Sequence, residues 1–334
     1  MKNINLLILL VATCSISLVG FAADNFVTPR TEWGQPDLQG VWNFSSNTPM
    51  QRPQRFGERQ FLTAEEAAEA RAQQVAADAA SDAAIPNAGV DASYNDFWVE
   101  SAGIGNDMRT SLITYPADGR IPERREGVAV AFPGVGPSVS GERPVRFIVG
   151  GIGTDGPEDR GLSERCLVGF NAGPPFTPSL YNNNVQIFQS RDHAVIMTEM
   201  IHDARIVPIS PADAQNNSPP IDESIGLWSG DSRGHWDGDT LVVVTRNFNG
   251  LTQSFSAFGN SADKVLTERF TRVGPYTIVY EFTVDDPSTF TDKFTAIVPM
   301  TKVGGQLYEY ACHEGNYGML NILRGARTEE SLAN

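Results

Sequence analysis

Four histidines occur in the 334-residue chain, and three are followed within two residues by an acid: His202-Asp203, His235-Trp236-Asp237 and His313-Glu314. An imidazole beside a carboxylate can be held near a neutral pKa, where proton transfer is efficient in both directions. The pattern points to acid–base chemistry of a lyase, isomerase or hydrolase type. In that scheme His313 is the general base or acid and Glu309 orients it. His202 and His235 are the opposing partners, Asp203 is a second orienter, and Arg233 stabilises developing negative charge. Trp228, Trp236, Tyr280, Glu281 and Asn316 are the candidate substrate contacts, suited to a small or mid-sized, partly apolar organic molecule.

Three other motifs compete. Gly230-Asp231-Ser232-Arg233-Gly234 has the spacing of a nucleophile elbow, with Asp285 and His313 following in triad order, so a serine esterase at Ser232 is an alternative. An elbow, however, needs a strand before the serine and a helix after it, and here a strand-like run follows instead. Three imidazoles with an open fourth position would suit catalytic zinc. No H-x-x-x-H or paired-cysteine spacing supports it, and neither a metal nor a cofactor is expected. Gly151 to Gly156 satisfies G-x-G-x-x-G, but no apolar helical face follows to hold a pyrophosphate.

These residues need elements to position them. In "GDSRGHWDGDTLVV" the Asp237-Gly238 dipeptide is a tight-hairpin signal. Pairing across it sets Trp236 opposite Asp239, His235 opposite Thr240 and Arg233 opposite Val242. Arg233 and His235 then share a face with Val242 and Val244, and Trp236 shares the other with Leu241 and Val243. From Val185 onward "VQIFQS", "AVIMTEM", "ARIVPIS", "DTLVVVTRNF", "VLTERFTRV", "TIVYEFTV", "FTAIVPMT" and "QLYEYAC" succeed one another with turn residues between most of them. Such spacing without helices predicts a mainly β fold, an antiparallel meander closing into a lipocalin-like barrel or a sandwich. Ile278, Tyr280, Phe282 and Val284 form one apolar face; Leu307, Glu309, Ala311 and His313 share another. Acids and imidazoles on such mixed faces predict a cavity whose mouth is built from "IHDAR", "SRGHW" and "ACHEGN". The competing explanations are a binding carrier without chemistry and plain structural ion pairs, such as Glu268–Arg269 with Asp203 or Arg205.

The first 22 residues read as an export signal, with Lys2, an apolar run and Gly20-Phe21-Ala22 at the cleavage site. Residues 23–108 form an N-terminal extension with a surface helix at about 62–80, where Thr63 and Glu66 fit a capping box. Residues 109–334 form the barrel domain, beginning with a strand and turn in "RTSLITYPADGRIPE", carrying a Gly/Pro-rich insertion at about 126–184 and ending in a short helix. Removal of the leader takes Cys14 and leaves Cys166 and Cys312, which in an oxidising compartment pair as one disulfide. The predicted location is periplasmic or secreted. Forty acids against 25 basic residues, a formal charge of −15, disfavour nucleic acid and anionic membrane as partners and leave a small molecule.

"SGDSRGHWDGDTLVVVTRNF", "HDARIV", "VYEFTVDDP", "YEYACHEGNYGMLNIL" and "GQPDLQGVW" together resemble segments of a large family of exported bacterial proteins of unsettled function. The resemblance covers residues 28–45 and 109–330. It implies a shared fold and compartment and carries over no catalytic residue. Gly40-Val41-Trp42 is also similar to the first-strand G-x-W of lipocalins, in which a late arginine packs on the tryptophan; Arg324 or Arg327 would take that part.

Overall fold

The computed structural model describes residues 26–84, 108–128, 156–210, 221–249 and 263–333. The predicted leader and residues 151–155 of the glycine-rich stretch lie outside them. Among the described residues ten strands form one sheet: β1 (Gly40–Asn43), β2 (Ile113–Tyr115), β3 (Asn184–Gln189), β4 (His193–Thr198), β5 (Ala204–Ser210), β6 (Asp231–Asp237), β7 (Thr240–Arg246), β8 (Val265–Gly274), β9 (Thr277–Asp285) and β10 (Phe294–Val303). The order β1-β3-β4-β5-β6-β7-β8-β9-β10 returns from β10 to β1, so nine strands close a barrel, and β2 pairs outside the ring with the first part of β10. The protein is mainly β with a lipocalin-like barrel, as its strand spacing predicts.

Period-2 alternation decides what faces inward. On β8, Leu266, Glu268, Phe270 and Arg272 are buried, and on β9, Ile278, Tyr280, Phe282 and Val284 are. With Trp42, Ile196, Val207, Leu241, Val298 and others these make one continuous core. The barrel interior is therefore packed rather than hollow.

Four expectations need correction. First, the β6–β7 turn lies one residue further on: Asp237 faces Thr240, and Gly238, with φ 59°, takes the first central place. Positive φ at that place alone marks a type II′ turn. Each partner moves by two residues, giving His235 with Val242 and Arg233 with Val244, so the faces are unchanged. Second, β5 and β6 run parallel, Ile209 beside Gly234. The chain must return to the opposite end of the barrel before β6 begins, which alternation cannot signal. Third, "QLYEYAC" forms no strand; residues 304–316 run out over the surface to α2 (Tyr317–Ala333), which buries no residue. Fourth, the cations over Trp42 are Arg272 and Lys302, 5.7 and 5.6 Å from its ring, rather than Arg324 or Arg327. Arg272 lies on the inward face of β8, whereas Arg327 pairs along α2 with Glu330.

The barrel ends are closed differently. At the lower end, where β1 begins, residues 28–38 run across as a strap. Arg30 pairs with Asp239 at 2.5 Å, Gln35 donates to the Arg191 carbonyl and Arg272 to the Asp37 carbonyl. At the upper end, where β6 begins, Phe176 plugs the core and stacks on Phe44 with ring centres 5.4 Å apart. Gly173 permits that insertion: its φ is +71°, and a Cβ there would fall 2.5 Å from the Pro175 backbone. Outside the barrel, α1 (Ala64–Ala84) begins with the predicted capping box, the Thr63 amide donating to Glu66 at 2.8 Å and the Glu66 amide to Thr63 Oγ1 at 3.2 Å. Cys166 and Cys312 form the expected disulfide, their Cα atoms 5.8 Å apart.

Candidate functional site

The structure does not gather the imidazoles. His193, His202, His235 and His313 are all exposed. His235 stands on the outer face of β6 near the lower end, because the inward places go to Ser232, Gly234 and Trp236. His202 lies in the β4–β5 turn at the upper end, its Nδ1 2.6 Å from the Ile201 carbonyl. Beside it Asp203 accepts a hydrogen bond from Ser229 at 2.5 Å. Ser229 lies before the upper end of β6, and His235 is four strand residues beyond Asp231, about 13 Å further down at roughly 3.3 Å per residue. His313 and Glu309 are exposed in the segment after β10. Among the described residues no set of three or more His, Cys, Asp or Glu is placed to hold a metal.

The remaining candidates are dispersed too. Arg233 pairs with Asp231 at 2.5 Å on the outer face of β6. Ser232 points into the barrel from within a strand, not an elbow, and shares a hydrogen bond with the Thr245 hydroxyl at 2.8 Å. Trp228 packs on Leu162 and Val168, and Trp236 turns inward against the core. Glu281 is on the outer face of β9, where burial raises its pKa against the pull of Arg269 and Arg109. Asn316 donates to the Glu164 carbonyl at 2.8 Å and accepts the Met319 amide at 3.3 Å, which ties the start of α2 to the disulfide loop.

Of the ionisable groups in the interior of the described residues, two clusters bear on chemistry. In the first, Arg205 of β5 makes a two-point bond to Glu268 of β8, at 2.6 and 2.9 Å, and Tyr280 of β9 donates its hydroxyl to Glu268 at 2.8 Å. The Tyr280 hydroxyl in turn accepts the Phe176 amide at 3.2 Å. Burial works against the Arg205 cation, but the Glu268 carboxylate outweighs it and its pKa ends above the ordinary value. Burial and the same carboxylate push Tyr280 well up. Every partner is satisfied and covered by Phe176, so this cluster fits a structural pair inside the core.

The second cluster is not satisfied. Lys264 precedes β8 and continues its inward column at the upper end. It is 1 % exposed, and its Nζ has no hydrogen-bond partner among the described residues. The amine lies 3.8 Å from the centre of the Phe248 ring. Burial lowers its pKa from 10.5 to about 7, against the opposing pull of Asp286 and Glu268. Lys264 and Phe248 line a cavity of about 540 Å³, with Glu223, Arg246 and Asp263 around it. Its walls are well held. Leu227 pairs with Phe248, the Leu227 amide donating to the Asn247 carbonyl at 2.9 Å, and Asn247 Nδ2 donates to the Asp222 carbonyl at 2.9 Å. Asp263 accepts the Ser288 hydroxyl at 2.6 Å. A buried amine near neutral pKa, carried by a side chain that lines a cavity, is equipped to take up and return a proton, or to attack an electrophile.

Reasoning from histidines passes over Lys264, although two signals for it exist. The chain has only four lysines, Lys2, Lys264, Lys293 and Lys302, against 21 arginines. Extending the β8 alternation backwards from Phe270 through Glu268 and Leu266 also reaches Lys264 on the inward face. The chain matches no family model, no curated protein and no solved structure.

Proposed function

We propose that this is an exported β-barrel protein that binds a small organic molecule in the cavity at the upper end and performs acid–base chemistry on it with the Lys264 amine. The observation that carries the reading is the buried Lys264 Nζ, which has no hydrogen-bond partner among the described residues and belongs to a side chain that lines that cavity. Burial disfavours the ammonium form, so near neutral pH both protonation states are populated, as a general acid–base group requires. This assigns to Lys264 the part first given to the histidines.

Export is supported by the leader-like start, the Cys166–Cys312 bond and the fact that no described helix is long and apolar enough to cross a membrane. The resemblance to exported bacterial proteins of unsettled function belongs to the same proposal. Carriage without chemistry is the second reading, favoured by the outward placement of every histidine.

Trace acetylation of the folded protein with acetic anhydride near pH 7, read by peptide mapping, tests the reading. Lys264 should acetylate more than about tenfold faster than exposed Lys293, because a far larger share of it is neutral there. Label on Lys293 and Lys302 with none on Lys264 would show that the amine is unreachable or charged, and the reading would fail.

A further inference from the structure

We infer that Lys264 captures a neutral aldehyde or ketone as a reversible imine in the upper cavity, an inference that rests on the cavity and amine of the proposed function. Acid–base catalysis asks only that an amine exchange a proton. The surroundings of Lys264 suit a further step, because nothing among the described residues competes for its lone pair. Nζ makes no hydrogen bond among the described residues and lies over the Phe248 ring, which can accept an N–H but offers no proton. The carboxylates that act on it, Asp286 and Glu268, are engaged elsewhere. Asp286 accepts the Thr289 amide at 3.1 Å, and Glu268 is held by Arg205 and Tyr280. An amine so placed is nucleophilic near neutral pH, where exposed lysines are protonated.

The step balances without a further reagent. The Nζ lone pair attacks the carbonyl carbon and a C–N bond forms. Both amine hydrogens then leave with the carbonyl oxygen as water, giving the C=N bond; addition of water reverses it. Phe248 shields the nitrogen on one side, and the cavity of about 540 Å³ has room for a ligand of about ten non-hydrogen atoms.

The rim decides the charge of the ligand. Arg246 is opposed by Glu223 and Asp263, all lining the same cavity. Once Lys264 is neutral, two acids face one guanidinium among the described lining residues. An oxo acid would bring a third carboxylate into that field, whereas an uncharged carbonyl compound meets no such repulsion. The inferred substrate class is therefore a neutral aldehyde or ketone with a short hydrocarbon or ring.

The full chain, with its disulfide intact, is to be incubated near pH 7 with hexanal and cyanoborohydride and then peptide-mapped. Hexyl addition at Lys264 should outpace that at Lys293 and Lys302 by more than about tenfold, and glyoxylate in place of hexanal should label Lys264 less. If hexanal labels only Lys293 and Lys302 while acetic anhydride still labels Lys264, the imine is wrong and the acid–base reading stands. If neither reagent reaches Lys264, both are wrong. Faster labelling by glyoxylate than by hexanal would overturn the neutral-ligand assignment. A Phe248→Ala variant supplies an independent reading: exposing the amine to water should restore an ordinary lysine pKa and bring labelling by hexanal down toward the rate of Lys293, and unchanged selectivity would contradict the role of burial.

Discussion

Replacing Lys264 with methionine should stabilise the protein, and the gain should depend on pH in a defined direction. The side chains are similar in length, so the Lys264→Met change chiefly removes the amine. In the folded chain that amine titrates at about 7, against an ordinary 10.5. Between those values the unfolded chain binds a proton that the folded chain does not. Stability of the parent therefore rises with pH across that window, by about 1.4 kcal/mol per pH unit, and is flat with respect to this group below about 7. The full difference corresponds to about 5 kcal/mol, lost to the parent at pH 7 and below. Urea unfolding of both proteins at a series of pH values gives the comparison, and other titrating groups cancel because both chains carry them. The variant should be the more stable at pH 7, and its advantage should shrink by about 3 kcal/mol by pH 9. Stability curves that run parallel from pH 7 to pH 9 would show that Lys264 is an ordinary ammonium in the fold. The argument for its chemistry would then fall with it.

Truncating Arg205 to alanine leaves Glu268 buried with only the Tyr280 hydroxyl, and should lower unfolding free energy by about 3–5 kcal/mol; an Arg205→Met/Glu268→Leu double variant should recover much of that loss, as urea midpoints would show. Gly230 and Gly238 have similar positive φ, +69° and +59°, but a Cβ at Gly230 would lie 2.6 Å from Thr245 Cγ2 and 2.7 Å from the Arg246 carbonyl, whereas one at Gly238 meets nothing within 4 Å. Gly238→Ala should cost about 1–2 kcal/mol by thermal unfolding and Gly230→Ala distinctly more; equal losses would contradict the close approach of β6 to β7 at that point. Replacing Cys166 and Cys312 with serine should free residues 304–333 to trypsin at Arg324 and Arg327 while the barrel stays folded. The chain-entropy account of a 146-residue separation allows about 5 kcal/mol, but an arm that buries no residue is held by little else, so the measured loss should be well below that.

The barrel is legible because alternation is local. Each of β3 to β5 and β7 to β10 repeats apolar residues at every second place, and turn residues punctuate most of them, so a reader of the chain can name the strands and their inner faces. Tyr280 and Phe282 inward, the Thr63–Glu66 cap and the Cys166–Cys312 bond all follow from rules that span a few residues or count cysteines. Even the misplaced β6–β7 turn keeps its faces, since a displacement of two residues preserves the period. The functional residues are less legible. A histidine next to an acid in sequence points, in a strand, to the opposite side from its neighbour, and whether that side is inside depends on the rest of the sheet. At β6 the inward places belong to Ser232, Gly234 and Trp236, which leaves His235 outside.

Local pattern, composition and cysteine number thus determine the strand elements, their amphipathic faces, the disulfide and the acidic surface, because those depend on residue type and short-range spacing alone. Closure of β10 onto β1, the parallel β5–β6 pair and the upper-end cavity belong to the tertiary structure. So does the environment of Lys264: an amine acquires its pKa and reactivity from the groups packed around it. Phe248, Glu268 and Asp286 reach that amine from three different elements. No reading of adjacent residues places them together; the closed sheet does.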